Sequence, residues 1–385
     1  MRKIDSLKLR QLIDETTGRR LADGRLGHAE IIVNQNGVRV FHGCYGTNGV
    51  HGPAVNSGCL YRAASMTKPF TVTAVMQCVE RGMIDLKASV SDFLPGFEKT
   101  MIAHAEQDAS GHWHLVNDHP SRSPILVYHL LSHTSGIGSD TLLNVLKLSA
   151  GSPKKTAEYY AAQPIAFEPY SKQSYSPSAA FDVAARILEI VTGESFGPYV
   201  MKHICEPLNL KSTTFEPTEG QYGRIVTMHS RGDDMQSHDV PVKYPGCVFS
   251  NVPAAAWSAG AGLLTSAEDY SKFAEMLLHY GLGENGVRIL SEESVRKMQT
   301  PYVPEAIMKG NCRWGLGVRV VTSADYENGL PIGSWGWSGA YGSHFWVDPE
   351  NKITAIYMKN SSYDGGSGAE SSAEFERSVM RSLSD

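Results

Sequence analysis

Hydrophobic and polar residues follow two different periods in the first part of the chain. Residues 5–20 mix Leu and Ile with charged side chains at helical spacing, which predicts an amphipathic surface helix. Residues 29–46 contain two β-branched runs around Asn36-Gly37, a dipeptide typical of a tight hairpin turn. Residues 65–81 then space apolar side chains as a buried helix does. The chain is therefore predicted to begin with a helix, a hairpin and a buried helix.

The pattern changes in the middle and again toward the end. Helical patterns separated by Pro and Gly loops fill most of residues 83–250, whereas strand patterns return from residue 311, in CRWGLGVRVV, GSHFWVD and ITAIYMKN. A helical pattern over 369–383 follows these strands. Strands at both ends around a helical middle predict an α+β fold, an α/β sandwich. In this fold one antiparallel sheet is built from the N- and C-terminal segments and is flanked by helices.

The chain has 385 residues, which is enough for two domains. We predict a sheet domain formed by residues 1–82 together with 255–385. Residues 83–254 are predicted to form a mostly helical domain inserted between these two segments.

Composition narrows the class of protein. Hydrophobic residues make up 42% and charged residues 19% of the chain, which is typical of a globular protein. Lys and Arg number 35 and Asp and Glu 40, so the net charge is -5, and we expect neither nucleic acid nor an anionic membrane as a partner. A small-molecule substrate is the expected partner. The sequence does not indicate an oligomeric state.

The location of the protein is predicted from three features. The first residues lack the apolar core of a secretory signal, and no run approaches the roughly 18 apolar residues that cross a bilayer. The 6 cysteines lie far apart without a CxxC pair, which favours reduced thiols. We therefore expect a cytoplasmic protein.

Ser65 and Lys68 are the first candidates for chemistry. They lie three residues apart on the predicted buried helix, a spacing at which neighbouring side chains meet. A lysine whose pKa is lowered by desolvation can take the proton of a serine hydroxyl and so activate it as a nucleophile. The alternative from the residues alone is a helix terminus capped by Ser65, with Lys68 in solvent.

Tyr175 is a candidate second base. It lies in QSYSPSAAFDVAARI, ahead of a strongly helical segment, and a hydroxyl there could pass a proton to a leaving group. Considered alone, Tyr175 is as well explained as one of 17 tyrosines that pack in the fold.

Several blocks of the chain resemble the serine β-lactamase and penicillin-recognising superfamily, in particular class C β-lactamases and bacterial family VIII carboxylesterases. The segment YRAASMTKPFTVTAVMQCVERGMIDL is similar to the block that carries the family's nucleophile, and ILVYHLLSHTSGI is similar to its structural HTSG segment. SAGAGLLTSAEDYSKFAEMLLHYG and WGWSGAYGSHFWVDPENKITAIYMKN resemble its later helix and its third-motif hairpin. The resemblance extends along most of the chain and implies the β-lactamase-like sandwich.

The resemblance implies a role for each candidate. Ser65 would be the acylated nucleophile, Lys68 its base, and Tyr175 the group that shuttles protons. The third motif falls on Trp337, Ser338 and Gly339, which would bind substrate. The backbone N–H of Ala340 would then face that of Ser65, and the two donors would form an oxyanion hole. No metal and no organic cofactor is expected.

Two departures from the β-lactamase pattern bear on the substrate. The second motif reads Tyr-Ser-Pro, so position 177 lacks the asparagine that recognises an amide. Trp337 occupies the position of the lysine that holds a substrate carboxylate. Family VIII esterases resemble this sequence at both places, so an uncharged carboxylic ester is the expected substrate.

Several other motifs are weaker candidates. Gly336–Ala340 and Gly365–Ala369 each approach the G-x-S-x-G elbow of α/β-hydrolases but lack its final glycine and its strand-turn-helix context. His133, in HTSG, is predicted to be structural, and His344 is a candidate pocket residue whose strand face the sequence does not fix. A further set in GHWHLVNDHP has the composition of a metal site but is predicted to form a solvated loop: His112, His114, Asp118 and His119.

The leading hypothesis is a serine carboxylesterase that works through an acyl-enzyme on Ser65. The alternatives are a β-lactamase or D-amino-acid peptidase or amidase, and an acyltransferase that passes the same acyl group to an alcohol. A non-catalytic sensor that is acylated but not turned over is a hypothesis of a different class. It is disfavoured because Ser65, Lys68 and Tyr175 occur together.

Overall fold

The computed structural model describes residues 1–148, 150–240 and 258–384. In chain order the strands are β1 (Lys3–Ile4), β2 (His28–Gln35), β3 (Val38–Gly46), β4 (Tyr61–Arg62), β5 (Met101–Gln107), β6 (Trp113–Pro120), β7 (His229–Arg231), β8 (Ser237–Asp239), β9 (Leu264–Thr265), β10 (Cys312–Trp314), β11 (Arg319–Val321), β12 (Trp335–Ser338), β13 (His344–Asp348), β14 (Ile353–Met358) and β15 (Leu383–Ser384).

The α-helices are α1 (Ser6–Ala22), α2 (Lys68–Glu80), α3 (Val90–Phe93), α4 (Val127–Leu131), α5 (Pro153–Ala161), α6 (Ala179–Thr192), α7 (Phe196–Val200), α8 (Glu219–Tyr222), α9 (Ala267–Leu278), α10 (Glu292–Gln299) and α11 (Glu370–Arg381). Short 3₁₀ turns lie at Ala64–Thr67, Pro95–Phe97 and Asp140–Leu142, and a π-helical turn lies at Met201–Cys205.

A seven-stranded antiparallel sheet organises the described residues. Its strand order is β10-β11-β12-β13-β14-β2-β3, so the C-terminal strands continue directly into the N-terminal hairpin. The junction is the pairing of β14 with β2, in which Ile356 faces Ile32 across the strands. The predicted α+β fold, with one antiparallel sheet built from both ends of the chain, is confirmed.

Helices cover both faces of this sheet. On the outer face, α1 and α11 pack through Leu9 and Val379 against sheet residues such as Trp346. The short strands β1 and β15, at the two ends of the chain, pair with each other beside these helices. On the inner face, Phe70 of α2 and residues of α9 join the larger core. Burial of these two apolar layers is the main force that holds the sandwich together.

The N-terminal predictions are confirmed with one correction. The helix over 5–20 and the hairpin are present, and Asn36 and Gly37 both have positive φ, 52° and 74°, as a two-residue hairpin turn requires. The predicted single helix over 65–81 is instead a 3₁₀ turn at Ala64–Thr67 followed by α2.

The middle of the chain contains more β structure than its helical patterns predicted. The segment with the histidine-rich motif was expected to be a solvated loop, but it forms a hairpin of β5 and β6, and β7 pairs with β8 further on. Ile102 and Ala103, on either side of a bulge in β5, are buried, and Ile102 belongs to the larger core, so this end of the hairpin packs against the rest of the fold. The division into two domains remains a prediction, and its boundary at 254/255 lies outside the described residues.

A membrane-spanning helix was not expected. Within residues 1–148, 150–240 and 258–384, none of the helices has both the length and the apolar character to cross a bilayer.

Candidate active site

Ser65 lies on the 3₁₀ turn that leads into α2. This turn has about three residues per revolution, so the side chains of Ser65 and Lys68 lie above one another. Ala64, immediately before the serine, has a φ of 46°, a strained value for a residue with a side chain. The Thr67 hydroxyl donates to the carbonyl of Ala64 at 2.7 Å and accepts the backbone N–H of Leu263 at 3.1 Å. These contacts hold the strained turn in place.

Lys68 is fully buried, and its amine contacts three oxygen atoms. Nζ lies 3.1 Å from Ser65 Oγ, 2.6 Å from the carbonyl oxygen of Pro177 and 2.9 Å from that of Gly260. Burial lowers the pKa of Lys68 below its ordinary value, and the nearby Tyr175 partly opposes this effect. In its neutral form, the amine would donate to the two carbonyls and direct its lone pair at Ser65, as a general base does.

Asp182 of α6 positions one of these carbonyls. Its buried carboxylate accepts the backbone N–H of Ala259 at 2.7 Å and the hydroxyl of Ser258 at 3.3 Å. The next residue is Gly260, where a side chain would overlap the backbone of Ser178. The close approach of these two segments therefore requires a glycine, and it brings the Gly260 carbonyl to Lys68.

The Tyr175 side chain reaches Ser65 from the loop before α6. Its hydroxyl lies 2.7 Å from Ser65 Oγ, although the two residues are 110 positions apart in the sequence. His133 supports this loop, because its Nδ1 accepts the backbone N–H of Ser176 at 3.0 Å and its ring lies 4.5 Å from that of Tyr175. Burial lowers the pKa of His133, so the imidazole is neutral and can accept this bond.

Two tryptophans form one wall beside Tyr175. The indole Nε1 of Trp337 lies 3.3 Å from the Tyr175 hydroxyl, and the Trp337 side chain is nearly buried. The ring of Trp314 lies 4.4 Å from Trp337 and 5.9 Å from Tyr175. The position where β-lactamases carry a cationic lysine is thus part of an aromatic cluster in this protein.

The third-motif strand β12 ends next to the 3₁₀ turn that contains Ser65. A side chain at Gly339 would overlap the carbonyl of Ala63, so only glycine allows this approach. Ala340, whose backbone N–H is the predicted second oxyanion donor, follows in the turn after β12. The Ser338 hydroxyl does not join Ser65, since it lies 2.8 Å from His344 Nδ1, and His344 Nε2 lies 3.0 Å from Glu376 of α11. Ser338 and His344 therefore face the outer side of the sheet.

The histidine-rich segment does not converge on one point. His112 Nδ1 lies 2.9 Å from the Ser110 hydroxyl, and His119 Nδ1 lies 2.9 Å from the carbonyl of its neighbour Pro120. Both residues belong to the exposed β5–β6 hairpin.

Sequence reasoning missed three positions of this site. Trp314, Asp182 and Gly260 each contact a candidate residue or its immediate support. The signal for Asp182 was a carboxylate within the apolar pattern of AAFDVAARILEIV, since a buried charge of this kind requires partners. No comparable signal marks Trp314 or Gly260.

A serine that contacts a buried lysine and a tyrosine, beside an antiparallel sheet covered by helices on both faces, defines the serine β-lactamase and penicillin-recognising class of proteins. Within that class, the chain belongs to the Beta-lactamase family, whose model matches residues 9–374.

Several named proteins are similar to most of this chain. Protein Rv1367c of Mycobacterium tuberculosis is 30% identical over 320 residues, which cover 78% of this chain and 77% of that protein. Esterase EstB of Burkholderia gladioli is 26% identical over 396 residues, covering 95% and 94%. The solved structure of EstCE1, described as a hydrolase with promiscuous acyltransferase activity, matches with a TM-score of 0.80 at 22% identity, covering 97% of this chain and 99% of that one. The protein thus belongs to a β-lactamase-fold family of serine hydrolases.

Proposed function

We propose that this protein is a carboxylesterase of the family VIII type, which forms an acyl-enzyme on Ser65. The main support for the proposal is the position of Trp337. It occupies the third-motif position at which a β-lactamase has the lysine that binds a substrate carboxylate, and its indole contacts Tyr175. An anionic substrate lacks that partner here, whereas an uncharged ester can pack its acyl or alcohol group against the indole. The relationship to Esterase EstB supports the same substrate class.

Acylation begins at the Ser65 hydroxyl. Lys68, 3.1 Å away and with a lowered pKa, takes the hydroxyl proton while Ser65 Oγ forms a bond to the ester carbonyl carbon. The carbonyl oxygen becomes an oxyanion, which the backbone N–H groups of Ser65 and Ala340 would stabilise. The bond to the alkoxy oxygen then breaks, and the leaving alcohol takes a proton from Tyr175, which Lys68 restores.

Deacylation reverses the roles of the same groups. Water enters from the side of the departed alcohol, and as its oxygen attacks the acyl carbon its proton passes to Tyr175 while the Tyr175 proton passes to Lys68. Ser65 Oγ leaves with a proton and the carboxylic acid is released. The net reaction is ester plus water to acid plus alcohol, and no metal or organic cofactor takes part in any step.

The proposal is tested by comparing substrates on the wild type and Ser65→Ala. We expect rapid cleavage of p-nitrophenyl acetate and butyrate, slow or absent cleavage of a chromogenic cephalosporin, and loss of both activities in Ser65→Ala. Ser367→Ala, in the Gly365–Ala369 motif, is the matched control and should remain active. Faster turnover of the cephalosporin would transfer the assignment to the β-lactamase or peptidase alternative, and an active Ser65→Ala protein would overturn the mechanism.

Acyl transfer to an alcohol is the second candidate. The rings of Trp314, Trp337 and Tyr175 give the nucleophile an apolar wall, and such a wall favours an organic acceptor over water. The test is the product ratio when a p-nitrophenyl ester is turned over in the presence of a short-chain alcohol. A transferase yields mainly the new ester at alcohol concentrations far below that of water, whereas a hydrolase yields mainly the acid.

The expected setting of this enzyme is the cytoplasm, with a small-molecule ester as its partner. Within the described part of the chain, cysteines 44, 59, 78, 205 and 312 are free thiols, which suits a reducing compartment.

A further inference from the structure

Three side chains with metal-binding chemistry converge on the N-terminal hairpin, outside the candidate active site. Glu30 lies on β2, and His42 and Cys44 lie on β3. Glu30 faces Cys44 directly across the two strands, and His42 faces Ile32, two positions along β2. Because side chains alternate between the faces of a sheet, all three project from the same face.

Their potential ligand atoms lie close together. His42 Nε2 is 3.0 Å from Glu30 Oε1 and 3.8 Å from Cys44 Sγ. The oxygen, nitrogen and sulfur atoms all lie within 4.8 Å of one another. Ligands that share a tetrahedral ion at bond lengths of about 2.0–2.3 Å have similar separations, so small side-chain movements suffice to place an ion between them.

The burial of the three residues differs in a way that suits an ion entering from solvent. Glu30 is fully buried; its Oε1 contacts His42, and among the described residues its Oε2 has the buried Tyr61 hydroxyl nearby but makes no hydrogen bond of normal geometry. A buried carboxylate oxygen without a partner is costly, and a bound cation would remove that cost. Cys44 is exposed and His42 is partly exposed, so an ion can reach the cluster from the edge of the sheet.

We propose that Glu30, His42 and Cys44 bind one divalent transition-metal ion, with Zn²⁺ as the best fit. A thiolate, an imidazole and a carboxylate together match Zn²⁺, which accepts sulfur, nitrogen and oxygen ligands. Mg²⁺ and Ca²⁺ are a poor fit because they prefer oxygen ligands alone. The three protein ligands leave a fourth position for water, and the Cys44 thiol releases its proton on binding.

The hairpin makes this site rigid without the ion. β2 and β3 are joined by backbone hydrogen bonds along their length and close through the tight Asn36-Gly37 turn. A site carried on paired strands holds its ligands more accurately than one on loops. The ion would connect β3, at the edge of the seven-stranded sheet, to its neighbour β2 and thereby stabilise that edge.

The site is tested with Co²⁺ as a spectroscopic substitute for Zn²⁺. The full-length protein is reduced, freed of metal with a chelator and titrated with Co²⁺ in the absence of competing thiols. We expect one Co²⁺ per chain, with the visible bands of a tetrahedral ion and a thiolate-to-cobalt charge-transfer band in the near ultraviolet. Added Zn²⁺ should bleach both signals. Isothermal titration with Zn²⁺ should give the same stoichiometry, and Zn²⁺ should raise the melting temperature.

Variants assign the signal to the cluster. Cys44→Ser should abolish the charge-transfer band, and His42→Ala and Glu30→Gln should each weaken Zn²⁺ binding at least tenfold, a loss of the size that even supporting residues of metal sites cause. His42→Ala and Cys44→Ser replace solvent-accessible side chains, so they remain informative if Glu30→Gln fails to fold. The matched control is His112→Ala with His114→Ala, which removes the histidine pair of the β5–β6 hairpin and should bind as the wild type does.

The proposal is overturned by a wild-type protein that binds neither ion, or by wild-type binding in His42→Ala and Cys44→Ser. Loss of binding in the His112→Ala, His114→Ala protein would show that the ion binds at the β5–β6 hairpin instead, and this result would also overturn the proposal. The result is independent of the proposed esterase function, because every measurement can be repeated on Ser65→Ala.

Discussion

The indole nitrogen of Trp337 lies 3.3 Å from the hydroxyl of Tyr175 and is oriented to donate a hydrogen bond to it. The same hydroxyl lies 2.7 Å from Ser65 Oγ. A phenolic oxygen that accepts a bond from the indole keeps its own proton free for Ser65 or for a leaving group. Under the proposed mechanism, Trp337 would leave the pocket without the cation found in β-lactamases and would also orient the Tyr175 hydroxyl.

The first prediction concerns this bond. Trp337→Phe keeps an aromatic wall but removes the donor, and a hydrogen bond worth about 1 kcal/mol corresponds to a rate loss of roughly fivefold. We expect a lower kcat for p-nitrophenyl butyrate with little change in KM. Trp346→Phe, on the outer face of the sheet, removes an indole N–H that has no partner among the described residues and serves as the control. An unchanged kcat in Trp337→Phe would argue against the orienting role.

The second prediction concerns the charge of Lys68. Burial lowers the pKa of Lys68 in the folded protein, whereas the unfolded chain keeps an ordinary lysine pKa of about 10.4. Between these two values the unfolded state binds more protons, so the contribution of Lys68 to the free energy of unfolding rises with pH. Lys68→Met removes this contribution.

Denaturant unfolding of the wild type and Lys68→Met from about pH 7 to about pH 10 measures this effect. We expect the wild type to gain stability relative to the variant as the pH rises. A constant difference between the two proteins would contradict a lowered pKa in the folded state.

The third prediction concerns the close approach of the end of β12 to the 3₁₀ turn that contains Ser65. A methyl group at Gly339 would overlap the Ala63 carbonyl and displace the turn after β12, which contains Ala340. Removal of one oxyanion donor typically costs about 100-fold or more in kcat, so Gly339→Ala should lose at least tenfold even if the strand shifts only partly. Gly220→Ala, where the added methyl group meets open space, is the control. Equal ester turnover in both variants would show that the end of β12 does not contribute to the proposed oxyanion hole.

The fourth prediction separates two roles for Ser338. The third motif predicts that it binds substrate, but its hydroxyl contacts His344, which in turn contacts the buried Glu376. Ser338→Ala leaves a buried imidazole nitrogen without a partner, so we expect a loss of about 1–3 kcal/mol in the free energy of unfolding and an unchanged KM. A higher KM at wild-type stability would assign Ser338 to the substrate instead. Denaturant unfolding and ester kinetics on the same preparation distinguish the two results.

Part of the site could be predicted from the sequence because part of it is local. Because Ser65 and Lys68 are three residues apart, their side chains lie next to each other on any helical turn. The Asn36-Gly37 dipeptide determines its hairpin turn without contacts from distant residues. Tyr175 became a strong candidate only through the family resemblance, because contacts across 110 positions leave no local pattern.

The remaining residues depend on packing between distant segments. Trp314 reaches the site only because β10 lies near the Tyr175 loop, and the Gly260 carbonyl reaches Lys68 only because Asp182 binds the backbone beside it. The β5–β6 hairpin was missed for a related reason, since the burial of Ile102 in β5 depends on distant residues such as Ile165.

The pairing of β1 with β15 has a practical consequence. Both strands adjoin the outer helices α1 and α11, whereas Ser65, Lys68 and Trp337 belong to the opposite, inner side of the sheet. A tag, linker or solid support joined at either terminus would therefore be attached on the outer side of the sheet, near α1 and α11. A protein immobilised in this way would hold the side of the sheet with Ser65 away from the support, and a short peptide joining the two termini would give a circular chain with little strain.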